Sequence, residues 1–293
     1  MSEVPIPESA KAECGIVYIA TGSGFVREAV RSAETVRKVM PDSNICLITD
    51  KATTDSVFNV VIRVPDAEYG FVDQITYMPY SPYEQTLFLD TDIYVYEDVS
   101  ELFDLLDRFD IAVAHNHNRQ AWELNAVPES FPEYNSGVVV YRNEDEFRQF
   151  TEQWIDIYWE MADSPETQNQ PSFRKALYES NLRIATLPTE YNCMVRYPGH
   201  AVGTVKIFHG RLLDIDTPGA VKYVRMSDAV EKINEFPDHR VFTTLGGIRV
   251  YSDRQHSRLR RFRYLVQRDG WIAALRRSGH WVVKKLRGEE TMY

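Results

Sequence analysis

The sequence predicts an α/β protein with a mostly parallel sheet and helices on both faces of that sheet. Apolar runs of strand length alternate along the chain with segments of helical apolar spacing, and this alternation is typical of a parallel sheet covered on both faces. Polar residues follow three of the predicted strands, at Thr21, Asp50 and Asp90. Because ligands of such sheets bind outside the carboxyl ends of the strands, these positions indicate where a binding site lies.

Strands and helices are expected in alternation through the first half of the chain. Apolar residues recur at helical spacing from Phe25 to Met40, and Pro41 ends that helix. Ser100 is a suitable N-cap for a short helix that begins at Glu101. The predicted strands are residues 15–20, 44–49, 57–64, 86–89 and 110–114, and the predicted helices are residues 25–40, 71–80 and 101–106.

The second half is expected to continue the pattern around a set of polar residues. A loop beginning at residue 131 runs through Asn135, Ser136 and Gly137 into a strand that ends at Tyr141. Helices are predicted over 144–161 and 168–180, a turn with candidate ligands over 187–193, and a strand over 205–210 that contains His209.

The most informative segment is Thr86–Tyr96, where an apolar strand ends in Asp90-Thr-Asp92 and the apolar run then resumes. An acid pair at the end of a buried strand costs desolvation energy unless it is compensated. The usual compensation is a hard divalent cation that also binds phosphate oxygens. A chance pair on a solvated surface is the alternative, but such a pair does not need apolar residues on both sides. For both carboxylates to meet one ion, the strand must loosen at its end or one acid must reach around Thr91.

Three further features are candidates for ligand binding, each with a structural alternative. Gly22-Ser-Gly24 indicates either a plain tight turn or a backbone that passes close to a nucleotide. Asn135 and Ser136 carry short hydrogen-bonding side chains, and the glycine after them allows close backbone approach; the alternative is a β-turn before an edge strand. His209 ends a strand next to a glycine, which favours a ligand over a structural histidine.

Composition limits the class of protein. The chain has 293 residues, of which 44% are hydrophobic, and carries a net charge of −10. It has no apolar run long enough to span a bilayer, and Met1–Glu13 does not resemble a signal peptide. The three cysteines, at positions 14, 46 and 193, are few and widely spaced, which suggests a reducing, cytoplasmic compartment. The acidic body is a poor binder of nucleic acid, because phosphate contacts need clustered cations.

Residues 253–293 form a basic tail that differs from the rest of the chain. Residues 254–287 hold eleven Lys or Arg against one acid, a net +10, whereas the remainder holds 22 basic against 42 acidic residues, a net −20. Apolar residues at helical spacing run through the tail. We therefore expect a domain over 1–252 and a basic amphipathic helical tail that contacts an anionic membrane surface on the cytosolic side. The alternative is that the tail packs on the acidic body or on a second copy.

These residues together resemble the GT-A glycosyltransferases, and in particular the family 8-like nucleotide-diphospho-sugar transferases related to glycogenin and the galactosyltransferases. The resemblance extends roughly over residues 14–212 and lies in the order and spacing of five segments. They are Ile19-Ala-Thr21, Leu87-Phe-Leu-Asp-Thr-Asp-Ile93, Ser100-Glu-Leu-Phe103, Asn135-Ser-Gly-Val138 and Ile207-Phe-His-Gly210.

The resemblance implies a Rossmann-like GT-A fold and a metal-dependent transfer of a sugar from a nucleotide-diphosphate donor to an acceptor hydroxyl, with retention. It implies Mn²⁺ or Mg²⁺ as the cofactor, and a lipid-linked glycan would suit a membrane-bound enzyme as acceptor. The implied metal ligands are Asp90, Asp92 and His209. The residues implied in catalysis are Asp92, Asn135 and Gln170, and those implied in donor binding are Ala20, Thr21, Gly22, Asp90, Thr91, Ser136 and Arg211.

The chain departs from the family pattern at three places. Asn169-Gln170 stands where the family has Asp-Gln before a helix, and Asp73 or Gln74 stands near the family's lysine. The third place follows His209, where Gly210-Arg211 leaves the family's His-x-x-Gly-x-Lys-Pro-Trp motif incomplete, and Arg211 is the candidate for the missing cation. Two alternatives stay open for these reasons: a haloacid-dehalogenase-like phosphatase, which also uses an Asp-x-Asp, and an inactive nucleotide-sugar-binding protein.

Overall fold

The computed structural model describes most of the chain up to residue 252 and isolated positions beyond it. The described residues are 12–117, 123–210, 225–235, 239–243, 247–252, 266, 270–272 and 275. Arg211 and most of the predicted tail lie outside these residues, so the division at residue 252 stays a prediction. Among the described residues, no helix is both long enough and apolar enough to cross a bilayer.

The strands and helices follow the predicted alternation closely. The strands are β1 (Cys14–Ile19), β2 (Ile45–Thr49), β3 (Val60–Arg63), β4 (Gln85–Leu89), β5 (Ile93–Val95), β6 (Ile111–His115), β7 (Tyr134–Arg142), β8 (Ile184–Leu187), β9 (Cys193–Met194), β10 (Gly199–Ala201), β11 (Ile207–His209), β12 (Arg240–Thr243) and β13 (Arg249–Ser252). The α-helices are α1 (Ser23–Val39), α2 (Phe71–Tyr77), α3 (Asp145–Met161), α4 (Gln170–Glu179) and α5 (Met226–Asn234), and 3₁₀ helices span Met78–Tyr80, Ser100–Asp107 and Thr189–Tyr191.

A seven-stranded sheet forms the centre, in the order β3-β2-β1-β4-β7-β6-β8. The first four strands are parallel, β7 runs antiparallel to both of its neighbours, and β6 and β8 are parallel. The predicted mostly parallel α/β fold is therefore confirmed. Because β4 and β6 point the same way, the turn after β4 and the end of β6 lie at one edge of the sheet.

Apolar side chains cover both faces of this sheet. One core packs α1 and the 3₁₀ helix Ser100–Asp107 on one face, and a second core packs α2, α3 and α4 on the other. Full burial explains why β2 and β4 read as continuous apolar runs. A third, smaller core joins α5 to the strands of the two smaller sheets, which have the orders β10-β12-β13 and β5-β11-β9.

Three local predictions were wrong. Asn135, Ser136 and Gly137 lie inside the buried strand β7 and not in a loop before it, because the strand begins at Tyr134, which pairs with His115 of β6, and the carbonyl of Gly137 accepts the N–H of Asp90. Ser100 is not a cap: it is the first residue of its helix, and its backbone N–H donates to the Asp98 carboxylate at 2.7 Å. The third strand is β3 and is shorter than the predicted range 57–64. Val57 and Phe58 precede it and pack in the core without joining the sheet.

Trp154 and Trp159 on α3 offer a matched test of the core. Trp154 is 1% exposed and its indole N–H donates to Ser172 Oγ at 3.0 Å, whereas Trp159 is 45% exposed. Trp154→Ala removes a large buried ring and should lower the free energy of unfolding by about 3–5 kcal/mol. Trp159→Ala, the control, should change it by less than about 1 kcal/mol. Urea unfolding of both variants measures this, and equal losses would contradict the assignment of the core.

Candidate metal and nucleotide site

The acid pair lies in the turn that leaves the central sheet. Strand β4 ends at Leu89, and β5 begins at Ile93 and pairs antiparallel with β11, where His209 stands opposite Ile93. The backbone N–H of Gly210 donates to the carbonyl of Asp92 at 2.9 Å. The chain thus changes sheets between Asp90 and Asp92, and this change brings His209 to the acid pair. Of the two alternatives, the strand loosens at its end, since β4 stops at Leu89 before the acid pair.

Asp90, Asp92 and His209 form a cluster suited to one metal ion. Each offers a ligand atom, and these atoms all lie within 4.8 Å of one another. His209 Nε2 lies 3.1 Å from Asp92 Oδ1 and 3.7 Å from Asp90 Oδ2. His209 is buried, and both acids are partly buried. Two carboxylates and an imidazole are ligands that Mn²⁺ and Mg²⁺ accept, so the residues fit the predicted cation.

A chain of amide side chains fixes the orientation of His209. Its Nδ1 lies 2.9 Å from Asn192 Oδ1, and Asn192 Nδ2 donates to Asn135 Oδ1 at 2.8 Å. The same oxygen of Asn135 accepts the backbone N–H of Gly137 at 3.0 Å. With Nδ1 donating to Asn192, Nε2 is left to face the carboxylates, as a metal-ligating histidine requires. In this structure Asn135 therefore supports a ligand of the cluster.

Strand β7 approaches the cluster so closely that only glycine fits at position 137. A Cβ atom there would lie 2.6 Å from Asp90 Oδ2 and would also overlap the imidazole of His209. The backbone is held in this position because Asp90 N–H donates to the carbonyl of Gly137 at 2.8 Å. The glycine thus leaves room for the ligand atoms to converge.

The electrostatics of the cluster favour binding of a cation. Burial of the imidazole opposes its protonation, but the carboxylates of Asp92 and Asp90 outweigh burial and raise the pKa of His209 above the ordinary histidine value. A metal ion needs the neutral ring, so protons compete with it. Metal affinity should therefore fall as the pH drops through the pKa of His209. The guanidinium of Arg196 approaches the other oxygen of Asp92, with Nη2 3.8 Å from Oδ2.

The residues predicted to border the nucleotide lie at the carboxyl end of β1. The hydroxyl of Thr21 donates to Asp73 Oδ2 at 2.6 Å, and the N–H of Gly22 donates to Asp50 Oδ1 at 2.8 Å. Gly22 has φ 92°, which explains glycine at the turn into α1. Ala20 is buried beside them. The two acids hold the turn, so Thr21 and Gly22 lie at the sheet edge that also carries Asp90.

Thr91 and Ser136 are also held by neighbouring side chains. The hydroxyl of Thr91 donates to the buried Glu28 at 2.9 Å, and that of Ser136 donates to Asn169 Oδ1 at 3.1 Å. Asn169 Nδ2 donates in turn to Gln74 Oε1 at 2.8 Å, and Gln74 Nε2 donates to the Ser136 carbonyl at 2.6 Å. Asn169, Gln74 and Ser136 thus form a closed, neutral, buried network.

Gln170 is the first residue of α4, is partly exposed and follows that network directly. Its predicted place in catalysis, and the predicted contacts of Ala20, Thr21, Gly22, Thr91 and Ser136 with a donor, stay predictions. Arg211 lies outside the described residues, so its role as the missing cation stays a prediction too.

Comparison with known proteins gives a family match over part of the chain and a similar fold. Residues 85–207, from β4 to β11, match the sequence profile of the nucleotide-diphospho-sugar transferase family. No curated protein matches the chain. A solved structure described as an active-site mutant of LgtC has a similar fold, with a TM-score of 0.51 and 15% identity over 67% of this chain and 86% of that chain. At this identity the likeness establishes the fold.

Two further solved structures are similar over comparable lengths of this chain. The glycosyltransferase GlyE of Streptococcus pneumoniae TIGR4 has a TM-score of 0.49 and 14% identity over 62% of this chain and 48% of that chain. Mouse xyloside xylosyltransferase 1 has a TM-score of 0.48 and 15% identity over 68% of this chain and 98% of that chain. This chain thus spans about half the length of GlyE.

Sequence reasoning missed three contributors to the site. Asn192 was within the predicted turn over 187–193 but was not singled out, although an amide beside candidate ligands was a usable signal. Glu28 and Arg196 gave no local signal, because Glu28 lies in a helix far from Thr91 in the chain, and Arg196 follows a two-residue strand.

Replacing Asn192 tests whether the amide chain supports metal binding. Asn192→Ala removes the partner of His209 Nδ1 and should weaken Mn²⁺ affinity by about 10-fold or more, as loss of an orienting partner does. Calorimetric titration with Mn²⁺ measures the change. Asn181→Ala is the control, because Asn181 is exposed beyond the end of α4. Equal Mn²⁺ affinity in the two variants would show that the amide chain does not tune the cluster.

Proposed function

We propose that this chain is a glycosyltransferase that transfers a sugar from a nucleotide-diphosphate donor to an acceptor hydroxyl, with a divalent cation, Mn²⁺ or Mg²⁺, as cofactor. The match of residues 85–207 to the nucleotide-diphospho-sugar transferase family and the similar fold support this proposal. The observation that carries the metal dependence is the convergence of Asp90, Asp92 and His209 at the edge of the sheet where ligands of α/β proteins bind. When bound there, the cation neutralises charge on the diphosphate.

Different residues around the cluster would bind the cation, border the nucleotide and position His209. Asp90, Asp92 and His209 would hold the cation, and the backbone of Ala20–Gly22 would border the nucleotide at the end of β1. Asn135 would keep His209 and Gly137 in position through its carboxamide oxygen. Such preorganised polar groups are often the largest source of rate enhancement, because they need not reorganise during the reaction.

Retention at the anomeric carbon is the stereochemical outcome that the family resemblance implies. The position where the family has an acid before the helix is Asn169, whose carboxamide is held by Ser136 and Gln74. A neutral amide is not a nucleophile, so in this proposal Asn169 forms no covalent intermediate with the sugar. Its network instead fixes the backbone of Ser136 beside the cluster.

The two alternatives are a haloacid-dehalogenase-like phosphatase and an inactive nucleotide-sugar-binding protein. They differ from this proposal in what the protein releases. The acid pair follows the fourth strand of the chain, whereas in the phosphatases it normally follows the first, and the family match favours a transferase. An inactive binder would take up the donor without consuming it. Measuring nucleoside diphosphate, free sugar and inorganic phosphate in one reaction distinguishes the three.

Asp92→Asn is the direct test of metal-dependent donor binding. A thermal-shift screen with UDP, GDP, ADP and dTDP, with and without Mn²⁺, first identifies the nucleotide that stabilises the wild type. Asp92→Asn should abolish that Mn²⁺-dependent shift and reduce donor turnover by about 100-fold or more, because it removes charge from the cluster. Asp104→Asn is the control, since Asp104 is exposed on the 3₁₀ helix of residues 100–107. Full activity of Asp92→Asn at high Mn²⁺ would reject the assignment.

We also propose that the basic tail holds the enzyme on the cytosolic face of a membrane and that the acceptor lies there, a lipid-linked glycan being one that suits. Trp271 and Ile272 are 66% and 72% exposed, and Leu275 is exposed near them. Exposed apolar residues within a segment of net +10 charge favour the surface of an anionic bilayer. An acidic body of net −20 charge would be repelled by such a surface without them.

Vesicle binding tests the tail. The intact protein should sediment with vesicles rich in phosphatidylserine at low salt and should dissociate as salt rises, because exposed charges are screened. Trp271→Ser with Ile272→Ser should reduce binding by about 10-fold, whereas Tyr178→Ser, an exposed aromatic on α4, should not. Failure of the intact chain to sediment at low salt would mean that the tail packs on protein.

A further inference from the structure

Arg196 occupies a fixed position beside the candidate metal cluster. Met194 on β9 pairs with His209 on β11, and the N–H of Val195 donates to the carbonyl of His209 at 3.0 Å. The N–H of Tyr197 donates to the carbonyl of Met194 at 3.4 Å. Arg196 therefore stands in a turn that is tied to the strand of a candidate metal ligand, and its guanidinium reaches Asp92 Oδ2 at 3.8 Å.

The two oxygens of Asp92 face different partners. Oδ1 lies 3.1 Å from His209 Nε2, whereas Oδ2 lies on the side of Arg196. The guanidinium thus approaches the cluster through the carboxylate of Asp92. The side chain of Arg196 is only partly exposed. A diphosphate that shares the cluster with Asp92 would lie within reach of the planar guanidinium, which matches phosphate oxygens with two parallel hydrogen bonds.

The chemistry of the proposed reaction favours a second positive charge beside the metal. When the donor is cleaved, its diphosphate gains a terminal phosphate group, whose last proton has a pKa of about 6. About one additional negative charge therefore develops at neutral pH on the departing group. Two carboxylates already balance a divalent cation in the cluster, and the nearby network of Gln74, Ser136 and Asn169 is neutral.

We propose that Arg196 is a catalytic residue that stabilises the departing nucleoside diphosphate. In this step the bond between the anomeric carbon and the β-phosphate oxygen breaks, and its electron pair stays on that oxygen. The acceptor oxygen forms the new bond to the anomeric carbon and loses its proton to the departing phosphate or to water. The inference rests on the proposed function. It assigns to Arg196 a positive charge that the neutral Gln74, near the position of the family's lysine, does not supply.

The role of Arg196 differs from that of a residue that only supports the fold or the metal. A group that stabilises the departing charge binds the product diphosphate more strongly than the intact donor. It is needed more in the transition state than in the ground state, so its loss lowers kcat with little change in KM. A group that only supports the cluster would instead change Mn²⁺ affinity or stability.

The test compares Arg196→Gln, Arg196→Lys and Arg183→Gln in the full chain. The donor is the sugar nucleotide that the wild type consumes among UDP-glucose, UDP-galactose and GDP-mannose, and release of nucleoside diphosphate is followed with water as acceptor. Arg196→Gln should lower kcat by about 100-fold, as loss of one stabilising donor does. Arg196→Lys keeps the charge without the guanidinium and should lose less. Arg183, the control, pairs with Asp110 at the opposite edge of the sheet.

Calorimetric binding supplies the second measurement. With Mn²⁺ present, Arg196→Gln should weaken binding of the product diphosphate by about 10-fold more than binding of the intact donor. Its Mn²⁺ affinity should change by less than about fivefold, because a long, partly exposed ion pair contributes little. Wild-type kcat in Arg196→Gln, equal weakening of donor and product, or a large loss of Mn²⁺ affinity would overturn the inference. A wild type that neither binds nor consumes any donor would instead reject the proposed function.

Discussion

The close approach of β7 to the turn after β4 is the constraint on which the site depends. A Cβ atom at position 137 would lie 2.6 Å from Asp90 Oδ2, so the strand must carry glycine where it passes the cluster. This approach lets Asn135, two residues earlier, reach Asn192 and through it His209. One backbone contact therefore sets the positions of the acids and of the histidine together.

The distribution of charge around the cluster follows from its burial. The cluster concentrates two carboxylates, and the imidazole of His209 and the guanidinium of Arg196 face different oxygens of Asp92. The nearby amides and hydroxyl of Gln74, Asn169 and Ser136 satisfy one another, which removes the cost of burying them. The network of Gln74, Ser136 and Asn169 adds no charge of its own to the cluster. Under the proposed function, the positive charge that acts on the diphosphate would therefore come from the metal and from Arg196.

The fold and the acid pair in the candidate metal cluster could be predicted from the sequence because each left a local pattern. Alternating apolar runs predicted the sheet, and an acid pair interrupting such a run predicted its turn. Asn135–Gly137 was mistaken for a loop because three small polar residues read as a turn, whereas they lie in the buried strand β7, between Tyr134, which pairs with β6, and Val138, which pairs with β4. Tertiary packing brings Glu28 to Thr91 and Arg196 to Asp92 over long separations in the chain. Periodicity in the sequence therefore could not find these two partners.

The central claim is that Asp90, Asp92 and His209 hold a divalent cation that also contacts the diphosphate of a sugar nucleotide. Pulsed electron paramagnetic resonance of Mn²⁺ bound to the protein with a nucleoside diphosphate tests this claim at the ligand atoms. The account predicts ³¹P coupling from the diphosphate together with ¹⁴N coupling from one imidazole, the latter lost in His209→Gln. Bound Mn²⁺ without ¹⁴N coupling, or with ¹⁴N coupling that persists in His209→Gln, would contradict it.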